Sequence, residues 1–347
     1  MSRVRFGMVG AGGIAQAYVA AFSNSTSGEL VAVADTRLPA AQAIAETLSC
    51  KAFDNHDTMC DEMEVDAIIV CTPPVSHPDI TTSIMKRGLH VLCEKPLAIS
   101  VDDAHSMIEQ AEESGVIFTM ASKFRYVEDM GKIKSIIESG VLGEVILVEN
   151  VFTANVDMRN RWNSNPEISG GGVLIDNGTH SVDIMRYLLG PLAEIQVVEG
   201  RRIQDIPVED TVRVFVRAQS GAIGSIDLSW SLKKEQPYFI SVYGSHGTAL
   251  VGWGESKYKR SSDTEWTIVG EGYDKVQAFG SQIDNLAGAI RGEQELLVTS
   301  ADALASVEVI ETAYASLNNA NWHTVGPMAD KRDRMDGNIK SSAGSVS

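Results

Sequence analysis

A chain of 347 residues with 44% apolar and 22% charged content is long enough for two domains and has the balance of a water-soluble globular protein. Its 29 basic and 46 acidic side chains leave a formal charge of −17, which excludes nucleic acid and anionic membrane as charge-driven partners. No apolar run approaches the about 18–20 residues of a membrane span, and the start of the chain carries no signal-peptide core, so a cytoplasmic protein is expected.

Residues 3–9 read as a strand running into Gly10-Ala11-Gly12-Gly13-Ile14-Ala15, a G-x-G-x-x-A turn. Ile14, Tyr18, Val19 and Phe22 then recur at helical spacing, and residues 30–34 form a second strand that ends at Asp35. Strand, glycine turn, helix, strand and terminal acid stand in the order of a dinucleotide site. Gly10 makes the tight turn, Gly12 lets the backbone approach a pyrophosphate, and Ala15 permits close packing of helix on strand. The helix start at Gly13 and Ile14 offers free N–H groups to the phosphates. Asp35, 20 residues past Ala15, is placed to accept hydrogen bonds from the adenosine ribose and to repel a 2′-phosphate. NAD is therefore expected rather than NADP. Arg37, two residues on, is near enough to touch the cofactor and would oppose that preference; it is read as facing solvent.

The alternation continues with a helix over 39–48, a strand over 65–70, a helix over 78–87, a strand over 91–93, a helix over 102–114 capped by Ser100, and a strand over 116–121. Such an order implies a mostly parallel sheet covered on both faces. Thr72 and Pro73 follow the 65–70 strand on the cofactor side; His77 either faces the cofactor or stabilises that turn. The apolar Val91-Leu92-Cys93 breaks off at Glu94-Lys95-Pro96, where proline cannot extend a sheet pairing. Ligands bind beyond the carboxyl ends of such strands, so Lys95 is within reach of a substrate. On these residues alone Glu94 and Lys95 read more readily as solvated charges at a strand end; the motifs on either side turn both toward contact with the cofactor. Cys50, Cys60, Cys71 and Cys93 show no metal-finger spacing and read as free thiols.

After Ser122-Lys123-Phe124-Arg125-Tyr126 the pattern changes. One helix, 130–139, is followed by strands over 145–153, 195–203, 211–218, 222–231, 239–243 and 248–251, then helices over 282–291 and 301–317. The expected organisation is an α/β N-terminal Rossmann domain (1–122), a C-terminal α+β domain with an open, mostly antiparallel sheet (123–327), and a flexible tail (328–347). Within the second domain Gly170-Gly171-Gly172 leads into a helix on which Val182, Met185, Leu188 and Leu189 share a face. Asp176 and His180, four apart, are neighbours there, with Asp183 a turn further. A carboxylate beside an imidazole suits a general acid/base; the same spacing serves structural hydrogen bonding equally well. A metal is not expected, because no second histidine is near in sequence and no cysteine lies in this domain.

Together, Gly10-Ala-Gly-Gly-Ile-Ala15, Asp35, Thr72-Pro73-Pro74 with His77, Glu94-Lys95-Pro96, and Gly171-Gly172 with Asp176-x-x-x-His180 resemble the Gfo/Idh/MocA oxidoreductases, the glucose–fructose oxidoreductase and inositol dehydrogenase family. The resemblance covers residue 1 to about residue 320 and leaves the tail unmatched. It implies NAD(P) at the glycine loop and a cis Lys95–Pro96 bond. It also implies a homo-oligomer, dimer or tetramer, built through the C-terminal sheet. Lys95 and His180 would stand at the reacting carbon of a sugar or cyclitol, with Asp176 orienting His180. Arg125, Tyr126, Asn155, Arg161, Trp162 and Asn163 would line the substrate pocket. Three rivals remain open: a nucleotide-sugar 3-dehydrogenase, for which Arg125, Arg159 and Arg161 are the only diphosphate candidates; an NAD-dependent glycosidase-type enzyme; and a non-catalytic NAD-binding sensor.

Overall fold

The computed structural model describes residues 3–319 and 321–326; the tail anticipated at 328–347 lies outside the described residues. The first part alternates β1 (Val4–Val9), α1 (Ala15–Phe22), β2 (Gly28–Ala34), α2 (Leu38–Leu48), β3 (Lys51–Phe53), α3 (His56–Glu62), β4 (Ala67–Val70), α4 (His77–Met85), β5 (His90–Cys93), α5 (Val101–Ser114) and β6 (Phe118–Met120). Its strands form a six-stranded sheet in the order β3-β2-β1-β4-β5-β6, every pair parallel. The chain reverses winding direction between β1 and β4, which opens a crevice at their carboxyl ends. Central strands are apolar throughout, as burial on both faces demands: all of Ala67–Val70 is buried. Ser100 caps α5 as the sequence predicts, its Oγ accepting from the Asp103 N–H at 3.1 Å. β3 and α3 go unread in the sequence: β3 spans three residues, too few for a periodic signal, and α3 is announced only by its cap Asn55.

The second part holds α6 (Glu128–Glu138), β7 (Val145–Thr153), α7 (Pro166–Ser169), α8 (Val173–Leu189), β8 (Leu192–Glu199), β9 (Thr211–Ala218), β10 (Ile223–Ser229), β11 (Tyr238–Gly244), β12 (Gly247–Gly252), β13 (Ser256–Arg260), β14 (Thr267–Gly270), α9 (Lys275–Ile290), α10 (Ser300–Leu317) and β15 (His323–Thr324). Nine strands form one sheet, β14-β13-β12-β11-β7-β10-β9-β8-β15, antiparallel except for β7 against β10. Along β9 buried and accessible positions alternate, with Val212, Val214 and Val216 inward and Arg213, Phe215 and Arg217 outward. The inward face packs against α8 and α10, and among the described residues no helix covers the outward face.

Helix α9 departs from the expected division. It starts at Lys275, capped by the Asp274 side chain, and buries Phe279, Ile283, Leu286 and Ala287 in the core of the first sheet beside Phe6, Tyr18 and Phe22. The late helix thus rivets the two parts together. Among the described residues no helix is long and apolar enough to cross a membrane.

A second rivet is ionic. Arg125 follows β6 and is 6% exposed; its Nε and Nη2 donate to Asp183 at 3.0 and 2.7 Å, and Nη2 also reaches Asp302 at 3.2 Å. This joins the end of the first sheet to α8 and α10, and it corrects the expectation that Arg125 lines a substrate pocket. Burial pushes the Asp183 carboxyl upward, and the Arg125 guanidinium opposes that push. Removing the cation strands a buried carboxylate. Arg125→Met is therefore expected to cost about 3–5 kcal/mol in chemical denaturation, well beyond a surface substitution. A loss under about 1 kcal/mol would show that the pair is dispensable.

Candidate active site

Two cavities meet at the carboxyl edge of the first sheet. The larger, about 1070 Å³, is lined by Gly10, Gly12, Gly13 and Ile14, by Asp35 and Arg37, by Thr72 and Pro73, and by Arg161, Trp162 and Asn163. The smaller, about 320 Å³, is lined by Ile14, Glu94, Lys95, Lys123, Phe124, Phe152, Thr153, Asn177, His180 and Trp253. Ile14 belongs to both, so a ligand filling the first reaches the mouth of the second.

The larger cleft has the chemistry of a dinucleotide site. Gly10 turns the chain at φ +98°, and a Cβ there would stand 2.8 Å from the Cys71 backbone. At Gly12 and Gly13 an added Cβ would meet nothing within 4 Å, which leaves the backbone open to the close approach of a phosphate. Helix α1 begins with no side-chain cap and no acid in its first turn; the Ala15 and Ala17 N–H groups donate to the Gly12 and Ile14 carbonyls at 3.2 and 3.0 Å, which leaves the N–H groups of Gly13 and Ile14 just ahead of it for an anion. Asp35 Oδ2 accepts from the Ala11 N–H at 2.7 Å and Oδ1 from the Arg37 N–H at 2.8 Å. Burial would raise the Asp35 carboxyl, but these backbone donors outweigh it and hold the group below its ordinary value. The carboxylate is thus charged and fixed at the end of β2, where it disfavours a second phosphate. The Arg37 side chain is 70% exposed and only 3.4 Å from Asp35, so it lies on the rim. These residues fit NAD.

The smaller cavity holds the reactive side chains. The Lys95–Pro96 bond is cis. Lys95 Nζ donates to Asp176 Oδ1 at 2.6 Å and to the Asp176 carbonyl at 3.0 Å. Glu94, 6% exposed, accepts from the Tyr18 hydroxyl at 2.8 Å through Oε1, and α9 contributes Gln282 to that hydroxyl at 3.3 Å. His180 is 9% exposed and packs edge-on to Phe124, with ring centroids 5.1 Å apart. Burial first, then the charges of Lys95 and Lys123, push its imidazole well below the usual value. It is a neutral base at pH 7.

Several expectations change. Asp176 serves Lys95 rather than His180: its carboxylate accepts from the ammonium, although Asp176 and His180 are one helical turn apart. His77 does not face the cofactor. Its ring is fully buried, with Nδ1 at 3.0 Å from the Pro96 carbonyl and Nε2 at 2.8 Å from the Thr72 carbonyl, so it clamps the two turns that border the site. Tyr126 is buried and donates to Asn285 at 3.0 Å, outside both cavities. Asn155 lines a separate open cavity of about 510 Å³ with Arg159 and Gln204. Arg161, Trp162 and Asn163 border the dinucleotide cleft, not the smaller cavity. The three arginines considered for a diphosphate do not converge: Arg125 is tied into α8, Arg159 pairs with Asp157 at 2.7 Å, and Arg161 sits on the cleft. Among the described residues no three His, Cys, Asp or Glu side chains gather as a metal site. The residues that sequence reasoning missed are Lys123, Phe124, Phe152, Asn177 and Trp253; nothing in their local spacing marks them.

The comparisons with known proteins bear on the same regions. A model described as an oxidoreductase family with an NAD-binding Rossmann fold matches residues 4–122, and a GFO/IDH/MocA C-terminal domain model matches residues 130–250. The rhizopine catabolism protein MocA of Rhizobium meliloti is 27% identical over 90% of this chain and 95% of its own. An inositol 2-dehydrogenase of Rhizobium meliloti (strain 1021) is 25% identical over 90% of this chain and 97% of its own. Among solved structures, levoglucosan dehydrogenase in complex with NADH superposes with a TM-score of 0.87 at 18% identity, covering 94% of this chain and all of that one (100%). The two family models run from the first strand to the twelfth and include the glycine turn, Asp35, Lys95, Asp176 and His180, and the chain belongs to the GFO/IDH/MocA family of NAD-binding oxidoreductases.

Proposed function

We propose that this protein moves hydride between NAD and a secondary hydroxyl, or the matching ketone, of a sugar, cyclitol or sugar derivative. One observation carries the reading: the Lys95 ammonium, 2.6 Å from Asp176, shares with His180 a cavity that opens beside the dinucleotide cleft. NAD, when bound, supplies the hydride acceptor for oxidation. Lys95 spends two of its three N–H groups on Asp176 and keeps one for the substrate oxygen. That charged hydrogen bond stabilises negative charge growing on the oxygen as the proton leaves. His180, neutral and without a hydrogen-bond partner among the described residues, takes the hydroxyl proton; in reduction it returns it. Phe124, Phe152 and Trp253 provide apolar faces for the C–H surface of a ring.

The reading includes a cytoplasmic location, supported by four free thiols, and a homo-oligomer, dimer or tetramer, through the outward face of the second sheet. Light scattering on the purified protein measures the subunit count, and a monomer would end that part.

The function is tested by following absorbance at the NADH band with NAD or NADP and a panel of inositols, aldoses, anhydro-sugars, glycosides and nucleotide sugars. The expected result is turnover with a neutral polyol and a preference for NAD over NADP, as the Asp35 carboxylate dictates. Turnover confined to nucleotide sugars favours that rival. Release of a free sugar from a glycoside marks the glycosidase-type chemistry. Silence across the panel, with NAD binding measured by calorimetry, replaces the enzyme with the sensor.

A further inference from the structure

We propose that Lys123 is a further substrate-contacting residue of this centre, its ammonium binding a ring hydroxyl oxygen across the cavity from the Lys95–Asp176 pair. The proposal rests on the dehydrogenase reading and extends it to a residue outside the motifs that carry the family resemblance.

Lys123 stands at the end of β6, where the chain turns toward the second sheet, and it borders the smaller cavity with Glu94, Lys95, Asn177 and His180. Its Nζ sits over three aromatic rings, 5.2 Å from the centroid of Phe124, 5.8 Å from Phe279 and 5.9 Å from Tyr273. The rings hold the stem in place, and cation–π attraction offsets part of the lost hydration. No carboxylate among the described residues stands within ion-pair distance of it, and no hydrogen bond uses its three donors. A half-buried ammonium with unspent donors on a cavity wall is unusual, because burying an unpaired charge is costly. A polyhydroxylated ring supplies what is missing, a lone pair at donor distance.

The charged and titratable groups facing Lys123 come from three directions: Glu94 and Lys95 after β5, Asp176 and His180 on α8, and Tyr273 and Lys275 at the start of α9. Burial first, then the charge of Lys95, lower the amine to about 8, against the pull of Glu94. The donor is thus present at neutral pH and is lost as pH rises through about 8.

The test is kcat/KM across pH 8 for the full chain with NAD and each of myo-inositol, methyl β-D-glucoside and 1,5-anhydroglucitol. In the native protein kcat/KM falls on the alkaline side. Lys123→Met lowers kcat/KM at neutral pH by about 10- to 100-fold, chiefly through KM, and abolishes that fall; Lys123→Arg, whose charge persists, recovers part of the loss and also abolishes it. A Lys123→Met protein with unchanged kcat/KM, or an alkaline fall that survives in both variants, overturns the proposal. A second readout needs no turnover: acylation of Lys123 by an amine-reactive ester in the NADH complex, read by peptide mass spectrometry. Protection of Lys123 by these polyols supports the contact even in a protein that turns none of them over, an outcome that removes only the dehydrogenase reading. Absence of protection by every polyol overturns the Lys123 contact.

Discussion

Lys95→Met is expected to lower kcat by about 10³-fold, or ~4 kcal/mol of barrier, while NAD binding measured by calorimetry stays unchanged. The substitution keeps most of the length of the side chain and removes its charge. It deletes the one donor left for the substrate oxygen and frees the Asp176 carboxylate, 2.6 Å away in the native protein, to repel the negative charge that grows there. The dinucleotide cleft is walled by the glycine turn, Asp35 and Thr72, not by Lys95, so cofactor affinity has no cause to change. Lys95→Arg should not restore activity, because a planar guanidinium cannot give the same two bonds to Asp176 and keep a third donor on the substrate. The structure adds a sharper expectation. Since Asp176 acts on Lys95, the double variant Lys95→Met/Asp176→Asn should be no slower than Lys95→Met alone. Losses that multiply in the double variant would give Asp176 a role separate from Lys95.

What the sequence made legible follows the range of the interactions. The glycine turn, Asp35 and the alternation of strands with helices are short-range patterns, and each appears in the structure where the spacing put it. The cap at Ser100 is equally local. Failures begin where partners are distant in sequence. Asp176 and His180 are one helical turn apart, and periodicity alone joins them, yet the ammonium that captures Asp176 arrives from 81 residues upstream. Arg125 and Lys123 are two residues apart on a single 3₁₀ turn, so they point in different directions, one into an ion pair with α8 and the other into the cavity. Composition gives no sign of which is which. His77 has a ring suited to a ligand and is instead consumed by carbonyls of two turns. Helix α9 was visible as a helix, but only the packed molecule reveals that Phe279 and Ile283 belong to the core of the first sheet. Those contacts also hold Tyr18, and through it Glu94, so a late helix supports a side chain at the mouth of the site.

His180→Ala should lower kcat by about 10²–10⁴-fold, the usual worth of a positioned acid or base, with NAD binding again unchanged. The pH profile distinguishes this from a packing defect. An unperturbed imidazole protonates near pH 6.5, and a base lost there would cut activity in mildly acid solution. Burial and the two facing ammonium groups of Lys95 and Lys123 press His180 well below that value. The native protein should therefore keep its kcat as pH falls through 6.5 and lose it only at distinctly lower pH, where the imidazole finally charges. An acid limb centred on 6.5 that disappears in His180→Ala would show that neither burial nor the two lysines shift the ring. Weak basicity also binds the two halves of the mechanism together. A neutral imidazole held so far from protonation cannot strip an ordinary alcohol unaided, so Lys95 must first stabilise the developing alkoxide. Because no hydrogen bond links Asp176 to His180, Asp176→Asn and His180→Ala impair different steps of that sequence, donor placement and proton acceptance. Their losses should multiply in the double variant, in contrast to the Lys95–Asp176 pair. A double variant no slower than His180→Ala would place Asp176 behind the imidazole after all.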